Sequence, residues 1–238
     1  GFGYTNAPAV EITPGANNSA YGFITLMPYG VSGRAIETFG SRVWIGNPAQ
    51  PNYVTPPLGG NFAVTAPESL WHFATSDGGL LFTSSDSFLQ TQYVGIKQSN
   101  GYLYFLGDGS VSVVSNVQAT PNQTTLTVST TFSYQNTDPQ TGLSYRDAMQ
   151  AFGRSLLVVN NTGVYALYGG QMTKVSQKID KIFATAVFPP AVGAITPCAS
   201  VATVFDIKHY MLLMTVIDPD TDAQRNVMVT WNDTDWTI

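Results

Sequence analysis

Three aspartates at alternate positions form the pattern in this sequence that most resembles a metal-binding loop. They are Asp218, Asp220 and Asp222, in the run Asp218-Pro219-Asp220-Thr221-Asp222. Carboxylate oxygens are the ligands that Ca²⁺ prefers, so a loop of this kind could wrap the ion. An EF-hand would need glycine at Ala223 and glutamate at Val229. The three aspartates therefore remain a hairpin-loop Ca²⁺ candidate, beside the alternative of an ordinary acidic turn.

A second segment, Thr75 to Phe82, fits the Asp-box pattern Ser/Thr-x-Asp-x-Gly-x-x-aromatic. In sialidase-type propellers this pattern builds a tight hairpin turn at the outer edge of a blade. Those enzymes carry several copies, together with an arginine cluster that grips a carboxylate. This chain has one copy and no such cluster, which favours a simple β-turn around Asp77.

The remaining side chains that could perform acid–base chemistry are isolated in the sequence. His72 and His209 are far apart and lack partners at the spacing that a metal site or a catalytic triad needs. Two carboxylates could act together only if the fold brought them within about 5 to 10 Å of each other, and the candidates are Glu37, Glu68 and Asp86. No nucleophile elbow, phosphate loop or dinucleotide fingerprint is present. The sequence therefore predicts a protein that is not an enzyme and that carries no cofactor.

The composition points away from a nucleic-acid-binding surface. Charged residues are 11% of the 238 residues and the net charge is −5, whereas a surface that grips DNA backbone carries clustered lysine and arginine. A mildly acidic wall past which DNA slides is compatible with this balance. The single cysteine, Cys198, excludes an intrachain disulfide and is expected to be a buried apolar residue. No apolar run approaches the roughly 18 residues of a membrane span.

A β-rich unit repeats along the chain and must position these residues. Aligning Phe39, Ser99, Phe152 and Phe205 gives steps of 99 − 39 = 60, 152 − 99 = 53 and 205 − 152 = 53. Each unit reads as a strand, a turn rich in Gly, Asn or Asp, and a second strand, which is the chemistry of a β-hairpin. Multi-strand units at this spacing suit propeller blades better than sandwich strands.

We therefore predict an all-β, β-propeller-like fold with four to five blades' worth of sequence. An irregular segment or partial blade covers residues 1–35, and the predicted blades cover about 36–95, 96–148, 149–201 and 202–238. Proline-rich loops are expected at 47–60 and 188–197, and one or two helical turns at 145–150 and 176–182. The chain opens Gly-Phe-Gly and stops inside a strand-like pattern at Ile238, so both ends are expected to be cut.

Several strand and turn phrases resemble the packaged-DNA stabilisation proteins, or tail hub and nozzle proteins, of short-tailed bacteriophages. They are Ala66 to Phe73 (APESLWHF), Gly101 to Val111 (GYLYFLGDGSV) and the stretch from Phe152 through Lys181. The similarity is good from about Phe39 to Phe183 and weaker at either end. These phrases carry no catalytic chemistry.

This resemblance implies a structural virion component assembled in the bacterial host cytoplasm. Copies of the chain would form a ring below the portal and adaptor, above the distal tail proteins. The ring would help to retain packaged DNA and would form part of its exit channel, without binding DNA tightly.

Two other functions remain open from the residues. One is a carbohydrate- or receptor-binding propeller, because four aromatic residues look exposed: Trp44, Trp71, Tyr102 and Tyr104. The other is a sialidase-like glycan hydrolase, which depends on the single Asp box and would need an arginine cluster with two carboxylates.

Overall fold

The computed structural model describes residues 33, 35–46, 61–83, 93–107, 109–138, 141–143, 148–186, 201–205, 209–218 and 220–238. The two predicted proline-rich loops lie outside these residues, as do Asp86, Cys198 and nearly all of residues 1–35.

The described residues form four antiparallel sheets of four strands each. The first sheet contains β1 (Ala35–Phe39), β2 (Arg42–Gly46), β3 (Asn61–Val64) and β4 (Leu80–Thr83). The second contains β5 (Tyr93–Ser99), β6 (Tyr102–Gly107), β7 (Val111–Asn122) and β8 (Thr127–Asp138). The third contains β9 (Met149–Phe152), β10 (Ser155–Asn160), β11 (Gly163–Tyr168) and β12 (Gln171–Lys174). The fourth contains β13 (Val201–Phe205), β14 (Tyr210–Ile217), β15 (Gln224–Trp231) and β16 (Trp236–Thr237).

Within each sheet the strands pair in chain order, so each sheet is a simple meander. The prediction of an all-β fold is confirmed, and each sheet has the strand number of a propeller blade. The four residues that align the sequence repeat each end the first strand of a sheet, and they are Phe39, Ser99, Phe152 and Phe205.

Two of the turns after these first strands share an unusual backbone conformation. Gly40 and Ser41 both have positive φ, at 58° and 56°, and so do Asn100 and Gly101, at 47° and 81°. Positive φ at both central residues is the requirement of a type I′ turn, whose twist matches that of the flanking strands. Local sequence therefore specifies where these hairpins reverse.

The sheets pack in series through apolar faces. One buried cluster joins the first and second sheets, and another joins the second, third and fourth. At the first junction the ring of Phe62 stacks on that of Phe105, with 4.6 Å between centroids, and lies 5.4 Å from that of Trp44. Among the described residues, no buried cluster contains side chains of both the first and the fourth sheets.

A short helical segment follows the third sheet. It consists of a 3-10 turn at Gln177–Ile179 and the helix α1 at Asp180–Thr185, and it buries Ile179 and Phe183 against the larger cluster. This confirms the helical turns predicted at 176–182. The turns predicted at 145–150 are wrong at their end, because Met149 begins β9 and extends into the sheet; residues 144–147 lie outside the described part of the chain.

The hairpin of β7 and β8 is much longer than its neighbours. Both strands have 12 residues, whereas β6 has 6 and pairs only with the first part of β7. We call the outer part of this hairpin, residues 116–131, the arm. The arm extends past its own sheet and crosses to the first sheet.

Candidate functional site

The arm meets the first sheet at a buried arginine, Arg42, the first residue of β2. Arg42 is 3% exposed. Its Nη1 atom lies 3.1 Å from the carbonyl oxygen of Thr65, 2.8 Å from that of Gly78, and 2.8 Å from Oγ1 of Thr130 in the arm. The hydroxyl of Thr130 in turn donates to the Gly78 oxygen at 2.5 Å. One guanidinium thus connects β2, the connection between β3 and β4, and the arm.

Backbone contacts extend this junction. The amide of Val128 in the arm donates to the carbonyl of Ser76 at 2.7 Å, and Val128 forms an isolated parallel bridge with Asp77. A Cβ on Gly40 would stand 3.7 Å from that of Val117, so the arm also lies against the turn between β1 and β2. The arm therefore fastens the second sheet to the first.

The predicted Asp box lies inside this junction. It occupies the connection between β3 and β4, where the amides of Asp77 and Gly79 both donate to the carbonyl of Ala74, at 3.1 and 2.9 Å. Gly78 has φ of 88°, a conformation that favours glycine. Asp77 Oδ2 lies 2.5 Å from Nε2 of His72, and this contact closes the connection from its exposed side.

The polar groups at this junction form hydrogen bonds with one another. Burial lowers the pKa of Arg42 from its ordinary value, but a guanidinium stays protonated at neutral pH. The three oxygen atoms around its Nη1 atom are carbonyl and hydroxyl oxygens of the protein itself, and removing a partner from a buried polar group is costly. The single Asp box therefore builds a tight turn, as the simple β-turn interpretation predicted. The arm packs against this turn, which the sequence did not indicate.

The proposed Ca²⁺ ligands are not assembled into a metal site. Asp218 Oδ1 accepts the backbone amides of Asp220 and Thr221 at 3.0 and 3.3 Å, and its Oδ2 lies 3.4 Å from Nη1 of Arg225. The pKa of the Asp218 carboxyl is lowered, chiefly by the hydrogen bond from the backbone amide of Asp220. The amide of Thr221 and the positive charge of Arg225 act in the same direction. Asp222 has φ of 55°. The loop is an acidic turn, held together by its own backbone amides and Arg225.

The other predicted candidates that the structure describes do not form one cluster. Oε2 of Glu37 lies 3.4 Å from Nζ of Lys97, while Glu68 is an exposed turn residue with φ of 57°. His209 immediately precedes β14 of the fourth sheet, whereas His72 lies in the connection between β3 and β4 of the first. Among the described residues no three His, Cys, Asp or Glu side chains form a group that could hold a metal ion. No helix within the described ranges is long and apolar enough to cross a membrane.

The predicted exposure of the aromatic residues was wrong for two of the four. Trp44 and Tyr104 are buried between sheets, because they belong to strands that are covered on both faces. Burial also raises the pKa of Tyr104 to about 12. Trp71 and Tyr102 keep part of their surface accessible.

Sequence reasoning missed the role of Arg42 and of the arm. A signal was present: Arg42 opens an otherwise apolar strand, and a charged residue in such a position is normally paired or hydrogen-bonded. The length of the β7–β8 hairpin was hidden, because its outer part contains no apolar alternation strong enough to mark a sheet.

In the comparisons with known proteins, the chain matches no protein-family model and no curated protein.

Proposed function

We propose that this chain is a structural component of a short phage tail, a hub or nozzle subunit that helps to retain packaged DNA and forms part of its exit channel. The observation that carries the proposal is the series of four meander sheets joined face to face by buried clusters. Such a series is a scaffold of repeated units, each of which contacts its neighbours.

The position of the resembling phrases supports the same proposal. Gly101 to Val111 supplies the turn before β6 and all of that strand, and the stretch from Phe152 to Lys181 supplies the core strands β10 and β11 and part of α1. Their side chains build the clusters between sheets. These two phrases therefore coincide with buried strands that join neighbouring sheets.

The chemical character of the described residues also suits a conduit. Among the described candidates Glu37 pairs with Lys97 and His72 with Asp77. The buried Arg42 donates its hydrogen bonds to oxygen atoms of the protein itself. The net charge of −5 gives DNA no favourable long-range attraction, so passing DNA would not be held. The partners under this proposal are other copies of the chain, the portal and adaptor, and the distal tail proteins.

Immunoelectron microscopy tests the location. Antibodies raised against the purified chain are expected to label the tail of the phage that encodes it. Label on the capsid, or none on intact particles, would contradict the proposal.

An amber mutation in the reading frame tests the role. It should yield particles that lose their DNA after packaging, scored as empty heads by cryo-electron microscopy, and full, infectious particles would overturn it.

A further inference from the structure

A notch between the second and third sheets combines exposed aromatic rings with uncharged polar groups. Tyr168, the last residue of β11, is 48% exposed. Its ring meets that of Tyr102 edge to face, with 6.2 Å between centroids, and Tyr102 is half-buried. A pair of adjacent aromatic rings with accessible surface is a feature of binding sites.

The turn after β11 is fitted to the side chains around it. A Cβ on Gly169 would stand 3.3 Å from the ring of Tyr102, and one on Gly170 would stand 1.9 Å from Nε2 of Gln135 in β8. Gly169 also has φ of 57°. Because both positions lack a side chain, the Gln135 amide rests directly on the turn beside the two tyrosines.

Gln135 ends a polar stripe along β8. Alternate residues of a strand lie on one face, and here that face carries Thr127, Ser129, Thr131, Ser133 and Gln135. All are exposed except Thr127, which is half-buried. From Thr127 to Gln135 the stripe runs roughly 27 Å. On β7, Thr120 and Gln118 lie opposite Ser129 and Thr131 and widen it.

The stripe carries no charge at all. From Val111 to Thr137 the sequence contains no Asp, Glu, Lys or Arg, although exposed outer strands commonly carry charges that prevent association. Hydroxyl and amide groups both donate and accept hydrogen bonds. The surface therefore offers hydrogen bonds along its length and an aromatic platform at one end, and residues 111–137 themselves carry no charge.

We propose that the notch and the polar stripe bind an uncharged carbohydrate chain. The apolar C–H face of a pyranose ring would pack on Tyr168, and the sugar hydroxyls would exchange hydrogen bonds with Gln135 and the serine and threonine hydroxyls. Within residues 111–137 an anionic or cationic polymer would find no counter-charge. Of the four aromatic residues that the sequence suggested, Tyr102 lies in this notch, whereas Trp44 and Tyr104 are buried; Tyr168 was not among the four.

The test is binding of the full chain to immobilised hexasaccharides of glucose (α-1,4 and β-1,4), N-acetylglucosamine (β-1,4) and mannose, with heparin and duplex DNA alongside. At least one neutral hexasaccharide is expected to bind at millimolar concentration or below. Tyr168→Ala should weaken that binding at least tenfold, and the double variant Ser129→Ala/Thr131→Ala should weaken it several-fold. Thr38→Ala, an exposed threonine on β1 in the first sheet, is the matched control and should bind as the parent does.

Three outcomes would overturn the proposal. One is that no neutral hexasaccharide binds even at a sugar concentration of about 10 mM. Another is that Tyr168→Ala, with an unchanged far-ultraviolet circular dichroism spectrum, binds as well as the parent. The third is that heparin or DNA binds more tightly than every neutral sugar. As a second probe, Gly170→Ala should displace Gln135 and weaken binding while leaving both tyrosines in place.

Discussion

Replacing Arg42 by alanine should separate the arm from the first sheet. The change removes the guanidinium that contacts Thr65, Gly78 and Thr130, at 2.8 to 3.1 Å. Hydrogen bonds that involve a charged donor contribute about 1.5 to 3 kcal/mol each. Two effects make the loss smaller than the sum of these hydrogen-bond energies. The Gly78 oxygen keeps the Thr130 hydroxyl as a donor, and the variant no longer has the energetic cost of removing a charged group from water.

The expected net loss is about 3 kcal/mol in the free energy of unfolding, measured by urea denaturation. Arg154→Ala is the matched control, because Arg154 is exposed in the turn between β9 and β10, and it should change stability by less than about 0.5 kcal/mol. Hydrogen exchange gives a local measurement. The amide of Val128, which donates to Ser76, should exchange faster in Arg42→Ala than in the parent chain.

A double-mutant cycle isolates the contact itself. Thr130→Val removes the hydroxyl but keeps the shape of the side chain, and its effect should depend on Arg42 by about 1.5 kcal/mol. If the two substitutions add within about 0.4 kcal/mol, Arg42 does not hold the arm through Thr130. A loss in Arg42→Ala no larger than that in the Arg154→Ala control would refute the structural role altogether.

Four further changes test other parts of the structure. Tyr210→Phe should raise stability by about 1 kcal/mol in urea denaturation, because Tyr210 Oη is buried without a hydrogen-bond partner among the described residues, and a loss would contradict this. Ser41→Gly should raise the melting temperature slightly, since Ser41 has φ of 56° and glycine adopts that conformation freely; Ser41→Val should lower it. Burial raises the pKa of Tyr104 to about 12, so its contribution to stability is complete below about pH 10 and is lost as the pH rises toward 12. Tyr104→Phe should therefore flatten the fall in stability over that range, and an unchanged slope would count against the assignment. Pro121→Thr should increase self-association in sedimentation velocity, because Pro121 lies on the uncovered side of β7 and lacks the amide that an added strand would need; unchanged sedimentation would show that the proline does not guard this edge.

The sequence by itself determined the class of fold and the place of its hairpins. Strand-length apolar runs and turns such as Asn100-Gly101 act through neighbouring residues, so their pattern is readable without the rest of the chain. For the same reason the residues that align the repeat, Phe39 and Phe152 among them, each end a strand. The acidic turn at Asp218 was also open to sequence, as one of two alternatives.

Only the tertiary structure decided which of these residues meet. Arg42 and Thr130 are 88 positions apart, and nothing local to either residue indicates the other. Trp44, Tyr104 and Tyr168 are all aromatic residues of β-strands, and the sequence does not distinguish them. Neighbouring sheets cover the first two, whereas Tyr168 stays exposed. Burial and contact between distant strands depend on how whole sheets stack, and that arrangement is a property of the assembled chain.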